Sequence, residues 1–164
     1  MENTYINIAD IPGESLERNH KEWIPIKTIN WELSRTVDLE DMGTAQRSFA
    51  NSSFGKVSVT TELSVASSKL MLSVADGTVR NEIKIEMCRA GDVAGLGMEP
   101  YLVWKLYDVV IDKYDVSGGE EQIPEENWDL AYRRIEIDYL AADPNSGTLT
   151  TAANFHWALI DGEM

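Results

Sequence analysis

The two histidines and the single cysteine are the residues of this 164-residue chain best suited to acid–base, nucleophilic or metal chemistry. His20 lies in the polar stretch RNHKEW, and His156 lies between Phe155 and Trp157. Neither begins a zinc-binding or catalytic pattern such as two histidines four residues apart on a helix. We interpret both as structural residues, and the sequence predicts no catalytic, cofactor-binding or metal-binding residue.

Other reactive residue types also fail to form a recognisable active site. Cys88 stands in the alternating run IKIEMC, which is typical of a small buried residue rather than a nucleophile. The serines lack the G-x-S-x-G turn of a hydrolase, and the glycines match no nucleotide-binding loop. Adjacent carboxylates such as Glu120 and Glu121 are most simply solvated surface. We therefore do not expect an enzyme.

The net charge limits the classes of partner. Acidic residues outnumber basic residues by 28 to 14, which gives a net charge of -14. This charge repels phosphates and anionic lipids, so neither nucleic-acid binding nor membrane insertion is expected. A lone cysteine excludes an intramolecular disulfide and fits a reducing cytosol. The first residues lack the features of a secretion signal, and we expect residues 1–164 to form one globular domain.

The elements that would position these residues are mainly strands. Runs of β-branched and aromatic residues alternate with turn residues, which predicts a mainly β fold. The predicted strands are Thr4–Ala9, Trp23–Ser34, Gly55–Glu62, Arg80–Cys88, Tyr101–Val116, Trp128–Leu140 and Ala153–Ile160. One short helix is predicted over 67–77, with Ser67 as its cap, a stripe of Leu70, Met71 and Val74, and Gly77 at its end.

Two predicted strands change phase partway along their length. The apolar positions switch from even to odd numbers between Ile26 and Ile29, and again between Tyr132 and Ile135. A strand of period two can do this only through a bulge or a bend, which is how sheets fold over into barrels. The pattern therefore favours a closed barrel over a flat open sheet.

A long segment, 35–54, has no sustained periodicity. A loop of this length in a compact domain is usually functional or disordered, and its scattered large hydrophobic residues argue against disorder. A loop packed on its own domain stays open as an alternative, but docking on another subunit is the preferred interpretation. The large hydrophobic residues are Val37, Leu39, Met42, Phe49 and Phe54.

The segments, read in order, resemble the Hcp family of bacterial type VI secretion systems. The matching pieces run from about Tyr5 to Ile160. They are YINIADIPGES, HKEW, IPIKTINW, VSVTTELSVASSKLMLSVADG, IEMCRAG, YLVWKLYDVVIDKYDVSGGEE, WDLAYRRIEIDY and FHWALI. The resemblance implies a compact β-barrel of two antiparallel sheets with one short α-helix and a long extended loop.

The resemblance also implies a structural function. The chain would form homohexameric rings that stack into a tube, and a contractile sheath would expel this tube together with a trimeric spike protein. It would assemble in the cytoplasm and leave through the machine without a signal peptide. Asn30 falls on the family's lumen position that contacts effector proteins, and alternation with Ile29 and Trp31 turns it to the opposite face. An ordinary solvent-facing asparagine stays open as the alternative. The implied inter-ring loop residues are Val37, Asp38, Leu39, Glu40, Met42 and Phe49.

Some features depart from the family pattern, and other functions stay open. The loop is acidic at Asp38, Glu40 and Asp41, so we expect ring stacking to depend on salt or on partners. The tail tube of a contractile phage or a phage-like particle is the alternative function. A monomeric barrel that binds a small ligand or acts as an enzyme is a third, and it would need a pocket with convergent polar groups.

Overall fold

The computed structural model describes residues 3–35, 52–90 and 97–159. Within these ranges the chain forms eleven strands and one helix, α1 (Ser67–Asp76). The strands are β1 Thr4–Asn7, β2 Ile24–Pro25, β3 Thr28–Asn30, β4 Leu33–Arg35, β5 Ser52–Phe54, β6 Val57–Glu62, β7 Arg80–Ala90, β8 Met98–Ser117, β9 Glu125–Ala131, β10 Arg134–Ala142 and β11 Leu149–Ala158. None of the helical residues described forms a segment long and apolar enough to cross a membrane.

The strands form two antiparallel sheets. The larger one has the order β2-β1-β7-β8-β9-β6-β3, and β10 pairs with both β8 and β11. The smaller one is the β4–β5 pair. The twenty-residue strand β8 pairs with β7 and β10 along its first part and with β9 along its second part. Asp108 has a positive φ of 52° between these two parts, so β8 turns the corner of the sheet there.

The predicted closed barrel is wrong, although the mainly β class, the two sheets and the single helix are confirmed. The ladder ends at β2 on one side and at β3 on the other, and these two strands do not pair with each other. β2 and β3 belong to one continuous segment, and two neighbouring amides between them donate hydrogen bonds to different strands, β1 and β6. Ile26 N–H donates to Thr4 O and Lys27 N–H to Thr60 O, both at 2.8 Å. The phase change in this segment therefore marks a bend that leaves the ladder open.

The second predicted phase change marks the end of a strand. β9 ends at Ala131 and β10 begins at Arg134. Before this break the chain pairs with β6 and β8, and after it the chain pairs with β8 and β11. The switch in apolar phase correctly located the point at which the chain exchanges neighbours.

Helix α1 begins differently from the prediction and ends as predicted. Ala66 occupies the N-cap position in a helical conformation and makes no side-chain cap, so the assignment of Ser67 as the cap is wrong. The Ser67 hydroxyl instead accepts a hydrogen bond from Ser64 N–H at 2.9 Å. Leu70 is fully buried, whereas Met71 is exposed. Gly77 ends the helix in the left-handed conformation, with φ of 68°.

The core lies between the folded-over parts of the large sheet and is closed by α1. Its side chains come from alternate positions, as in β6, where Val57, Val59 and Thr61 are buried and the residues between them are not. We call residues 8–23, between β1 and β2, the connector. Gly13 allows two parts of the connector to pack closely, because a Cβ on Gly13 would lie 2.4 Å from Trp23 O. The fully buried hydrophobic side chains include Ile6, Leu70, Ile83, Ile85, Leu106, Ile111, Trp128 and Leu130.

Candidate functional site

Asn30 lies on an extensive polar face of the large sheet. It is exposed on β3, while Ile29 and Trp31 are partly buried against the core. The predicted orientation of Asn30 is thus confirmed, because alternation along β3 turns it away from the core. We call the exposed side of β3, β6, β9 and the end of β8 the polar face. It comprises Thr28, Asn30, Ser58, Thr60, Asp115, Asn127 and Asp129.

Short side chains on the polar face are linked by hydrogen bonds across the strands. Ser58 Oγ donates to Asp129 Oδ1 at 2.6 Å, and Thr60 Oγ1 donates to Asn127 Oδ1 at 2.7 Å. Asn127 Nδ2 then donates to Asp115 Oδ1 at 3.1 Å. These bonds hold the small polar groups in place on the sheet surface.

Lysines offset several of the carboxylates around the polar face. Lys27 Nζ lies 2.7 Å from Glu125 Oε1 and 2.9 Å from Glu62 Oε1. The hydrogen bond to Glu125, followed by the one to Glu62, holds the pKa of the Lys27 ammonium above its ordinary value. Lys56 pairs with Asp112 near the other end of β6. The polar face is therefore hydrophilic, and part of the charge around it is compensated locally.

The predicted inter-ring loop lies outside the described residues, so Val37, Asp38, Leu39, Glu40, Met42 and Phe49 have no described positions. The structure does describe the two strands from which that segment departs. Arg35, at the end of β4, pairs with Ser52, at the start of β5. The two ends of the segment are thus held side by side.

Aromatic side chains anchor the β4–β5 pair to the rest of the fold. The Phe54 ring stacks on Trp157 of β11 at a centroid distance of 5.9 Å and lies 6.4 Å from Trp31. Trp31 Nε1 donates to the Tyr132 hydroxyl at 2.7 Å, which donates to Gly55 O at 2.8 Å. An apolar cavity of about 330 Å³ opens beside this cluster, between β4, β5 and β11.

His20 lies in a buried polar cluster that the sequence did not reveal. Its side chain is 1% exposed, and its ring stacks on Tyr5 at 4.6 Å. Nδ1 contacts Glu17 Oε2, and Nε2 lies 2.7 Å from Glu86 Oε2 and 3.5 Å from Cys88 Sγ. Both ring nitrogens face carboxyl groups, so the two polar atoms of this buried ring each have a hydrogen-bonding partner.

The carboxylate of Glu17 also ties the connector to the start of β8. Glu17 Oε1 accepts a hydrogen bond from Met98 N–H at 2.9 Å, and Oε2 accepts one from Asn19 N–H at 3.0 Å. Burial raises the pKa of the Glu17 carboxyl, but the hydrogen bonds from Met98, His20 and Asn19 outweigh it and bring the pKa below its ordinary value. Glu17 therefore stays ionised beside His20.

The Cys88, His20 and Glu17 side chains are arranged like a cysteine nucleophile, its base and an orienting carboxylate, but the environment opposes that chemistry. A nucleophilic cysteine needs an accessible thiolate. Cys88 is 1% exposed, and burial, followed by the negative charge of Glu86, raises the pKa of its thiol to about 12. Cys88 therefore remains a thiol that substrates do not reach, and the structural interpretation of His20 fits this environment.

A second buried carboxylate, Glu126, is also part of a satisfied network. It accepts hydrogen bonds from the Tyr114 hydroxyl at 2.6 Å and the Thr61 hydroxyl at 3.1 Å. Thr61 in turn accepts one from Trp128 Nε1 at 3.1 Å. Burial, followed by the hydrogen bond to Glu126, raises the pKa of Tyr114. This network joins β6, β8 and β9 and has no access to solvent through Glu126, which is 0% exposed.

Sequence reasoning missed the buried cluster because its members are far apart in the chain. His20 is 66 positions from Glu86 and 68 from Cys88. In the sequence, Glu86 falls on the polar positions of the alternating run IKIEMC, so the local pattern does not mark it as buried, although the structure buries it on β7. The polar surroundings of His20 gave no indication that the ring itself is buried.

Comparison with known proteins gives consistent results. The family model described as "Type VI secretion system effector, Hcp" matches residues 5–139. Protein hcp1 of Pseudomonas aeruginosa is 26% identical over 137 residues, which cover 82% of this chain and 81% of that protein. A solved structure described as a type six secretion system protein superposes with a TM-score of 0.87 at 25% identity and 99% coverage of both chains. Hcp1 from Salmonella typhimurium shares the fold, with a TM-score of 0.73, 18% identity and 99% coverage of both chains.

Proposed function

The chain belongs to the Hcp family of type VI secretion proteins, and from this membership we propose how its surfaces serve a secreted tube. Hcp proteins are structural subunits that form rings in type VI secretion. The chain is accordingly a tube subunit of such a system. We propose that residues 1–164 act as a single domain, that six copies close each ring, and that the chain carries out no catalytic reaction.

The composition of the polar face supports our proposal for which surface of the subunit lines the tube interior. The polar face presents small hydrogen-bonding groups with no large exposed hydrophobic side chain among them, namely Asn30, Ser58, Thr60 and Asn127. A protein sliding along such a surface meets groups that exchange hydrogen bonds readily with water. We therefore assign the polar face to the lumen, where Asn30 contacts effector proteins.

The remaining partners follow from a tube of this kind. We propose that rings assemble in the cytoplasm, stack through the segment between β4 and β5, and associate with a trimeric spike at one end and with sheath proteins around the outside. Expulsion of the tube then makes the subunit a secreted protein. Effector proteins occupy the lumen.

Site-directed labelling tests the assignment of Asn30 to the lumen. Because Cys88 is buried, an Asn30→Cys variant presents one reactive thiol among the described residues. Assembled rings would be labelled with a gold maleimide and imaged by electron microscopy. We expect gold inside the central channel. Leu72→Cys, on the exposed face of α1, is the matched control and should place gold outside the channel.

The assignment fails if gold on the Asn30→Cys ring lies at the outer rim or on the flat ends. That result would not contradict membership of the Hcp family or formation of the ring, because the experiment tests only which side of the sheet faces inward. It would require the opposite surface of the subunit to contact cargo.

A further inference from the structure

The cluster around His20 has the composition of a metal site. His20, Glu86 and Cys88 each offer one donor atom, and the three donor atoms lie within 4.8 Å of one another. All three side chains are buried. Glu86 and Cys88 lie on β7 at an irregularity of the ladder between Met87 and Cys88, and both side chains contact Nε2 of His20, which comes from the connector. Two separate parts of the chain thus converge on one point.

The separation of one donor pair suits a small divalent cation as it stands, and that of a second pair requires a shift. Zinc bonds of 2.0–2.3 Å in a tetrahedral arrangement place nitrogen and sulfur ligands about 3.6 Å apart and nitrogen and oxygen ligands about 3.4 Å apart. The His20 Nε2 to Cys88 Sγ distance is 3.5 Å, which already fits. The His20 Nε2 to Glu86 Oε2 distance is 2.7 Å, so the carboxylate would move outward by about 0.7 Å to reach the spacing expected for zinc.

The surroundings supply the supporting contacts that metal ligands usually have. The Glu17 carboxylate contacts His20 Nδ1, which is the carboxylate–histidine arrangement that orients a ligating imidazole. Lys84 Nζ lies 2.6 Å from Glu86 Oε1, so the oxygen that does not face His20 is also held. The ring itself is fixed by stacking on Tyr5 and by the edge contact with Trp23 at 4.8 Å.

A dication would bind the deprotonated forms of its ligands. The thiol proton of Cys88 and any proton that His20 Nε2 carries would therefore be released to solvent. The carboxyl groups of Glu17 and Glu86 both face the imidazole, so the cation would stand among groups of opposite charge.

We propose that His20, Glu86 and Cys88 bind a zinc-type divalent cation that fastens the connector to β7. One nitrogen, one oxygen and one thiolate sulfur suit Zn²⁺, and three protein ligands leave a fourth position for water. Three protein ligands and one open position are the set found in catalytic zinc sites, but the burial of His20 and Cys88 keeps substrates away, so we assign the metal a structural role. This inference is independent of the function proposed above, because it concerns the stability of the subunit rather than its assembly.

Cobalt substitution tests the site directly. The full chain would be expressed in minimal medium supplemented with Co²⁺, so that it folds in the presence of the metal. Bound cobalt would be measured by elemental analysis and by absorption spectroscopy. We expect one cobalt per chain, tetrahedral d–d bands and a thiolate-to-cobalt charge-transfer band, which reports directly on Cys88.

Two variants separate this site from adventitious binding. Cys88→Ser changes one buried atom, and it should remove the charge-transfer band and lower the cobalt content. His156→Gln alters the exposed histidine, which hydrogen-bonds to Asn154, and should leave both signals unchanged. Substoichiometric cobalt in the unmodified chain, bound cobalt without a thiolate band, or a band that persists in Cys88→Ser would each overturn the proposal.

Discussion

At the scale of single residues, the Asp10–Arg80 pair connects three parts of the fold. Arg80 Nε and Nη2 donate to the two carboxylate oxygens of Asp10 at 2.8 and 2.9 Å, and Nη2 also donates to Ser73 Oγ at 2.7 Å. The connector after β1, helix α1 and the start of β7 are thereby joined. The hydrogen bonds from Arg80, which outweigh the effect of burial, bring the pKa of the Asp10 carboxyl below its ordinary value.

This pair predicts a specific dependence of stability on pH. A carboxyl with a lowered pKa in the folded state stabilises the fold above its unfolded pKa of about 3.8, and the contribution is lost as the pH falls through the folded pKa. Asp10→Asn should therefore lower the free energy of unfolding at pH 7 by at most about 1 kcal/mol, because Asp10 is largely exposed. The difference from the unmodified chain should shrink as the pH falls below 4.

Urea unfolding at a series of pH values measures this difference. The exposed Glu120→Gln substitution removes the same charge elsewhere and serves as the control. A stability difference for Asp10→Asn that stays constant from pH 7 to pH 3 would show that the ion pair does not contribute through its charge.

Individual residues were predictable from the sequence where local pattern determined them. The exposure of Asn30 and the left-handed Gly77 follow from alternation and from helix-end geometry, and both are confirmed. The burial of His20 is not a local property, because it depends on β7 passing beneath the connector. The cap of α1 was mispredicted because the Ser67 hydroxyl bonds to the turn before the helix rather than to the first helical amides.

At the scale of elements, changes in hydrophobic phase were the most informative sequence signal. They located the bend between β2 and β3 and the break between β9 and β10. They did not determine whether the sheet closes, because closure depends on hydrogen bonds between β2 and β3 rather than on which face of each strand is apolar. Two separate predicted strands, 23–34 and 128–140, were each divided at the point of the phase change.

The segment between β4 and β5 supports an element-scale prediction. We propose that its apolar residues contact the neighbouring ring, so Leu39→Asp or Met42→Asp should shorten stacked tubes while leaving single rings intact. A carboxylate buried at such a contact would have no partner, which is costly. Leu72→Asp makes the same change on the exposed face of α1 and should leave tube length unchanged.

Tube lengths measured by electron microscopy distinguish these outcomes. Circular dichroism would establish that each variant retains its strands. Tubes of unchanged length in both Leu39→Asp and Met42→Asp would contradict the proposed role of this segment in stacking.

At the scale of the whole molecule, charge and shape fit a subunit that repeats many times in a tube. The net charge of -14 accumulates as rings are added, so repulsion between neighbours must be offset at their interfaces. The lysines paired beside the polar face are already included in this net charge, so the surplus of carboxylates remains to be offset. Assembly should therefore become easier as added salt screens the remaining carboxylates.

The long strand β11 provides one edge at which subunits can meet. It pairs only with β10 among the described strands, and its first residues are mostly exposed threonine and alanine. Such an edge lacks the lysines and prolines that usually prevent association of strands. Head-to-tail contacts between subunits related by rotation close into a ring. The contact between stacked rings does not close, so rings can be added along the axis without a fixed limit.

Negative-stain electron microscopy of the purified chain tests the central claim most directly. Samples would be imaged at low and moderate salt over a range of protein concentrations. A ring-forming tube subunit predicts closed six-membered rings with an open centre, and more stacked rings at moderate salt. Compact particles of single-chain size at every concentration and salt would contradict the account.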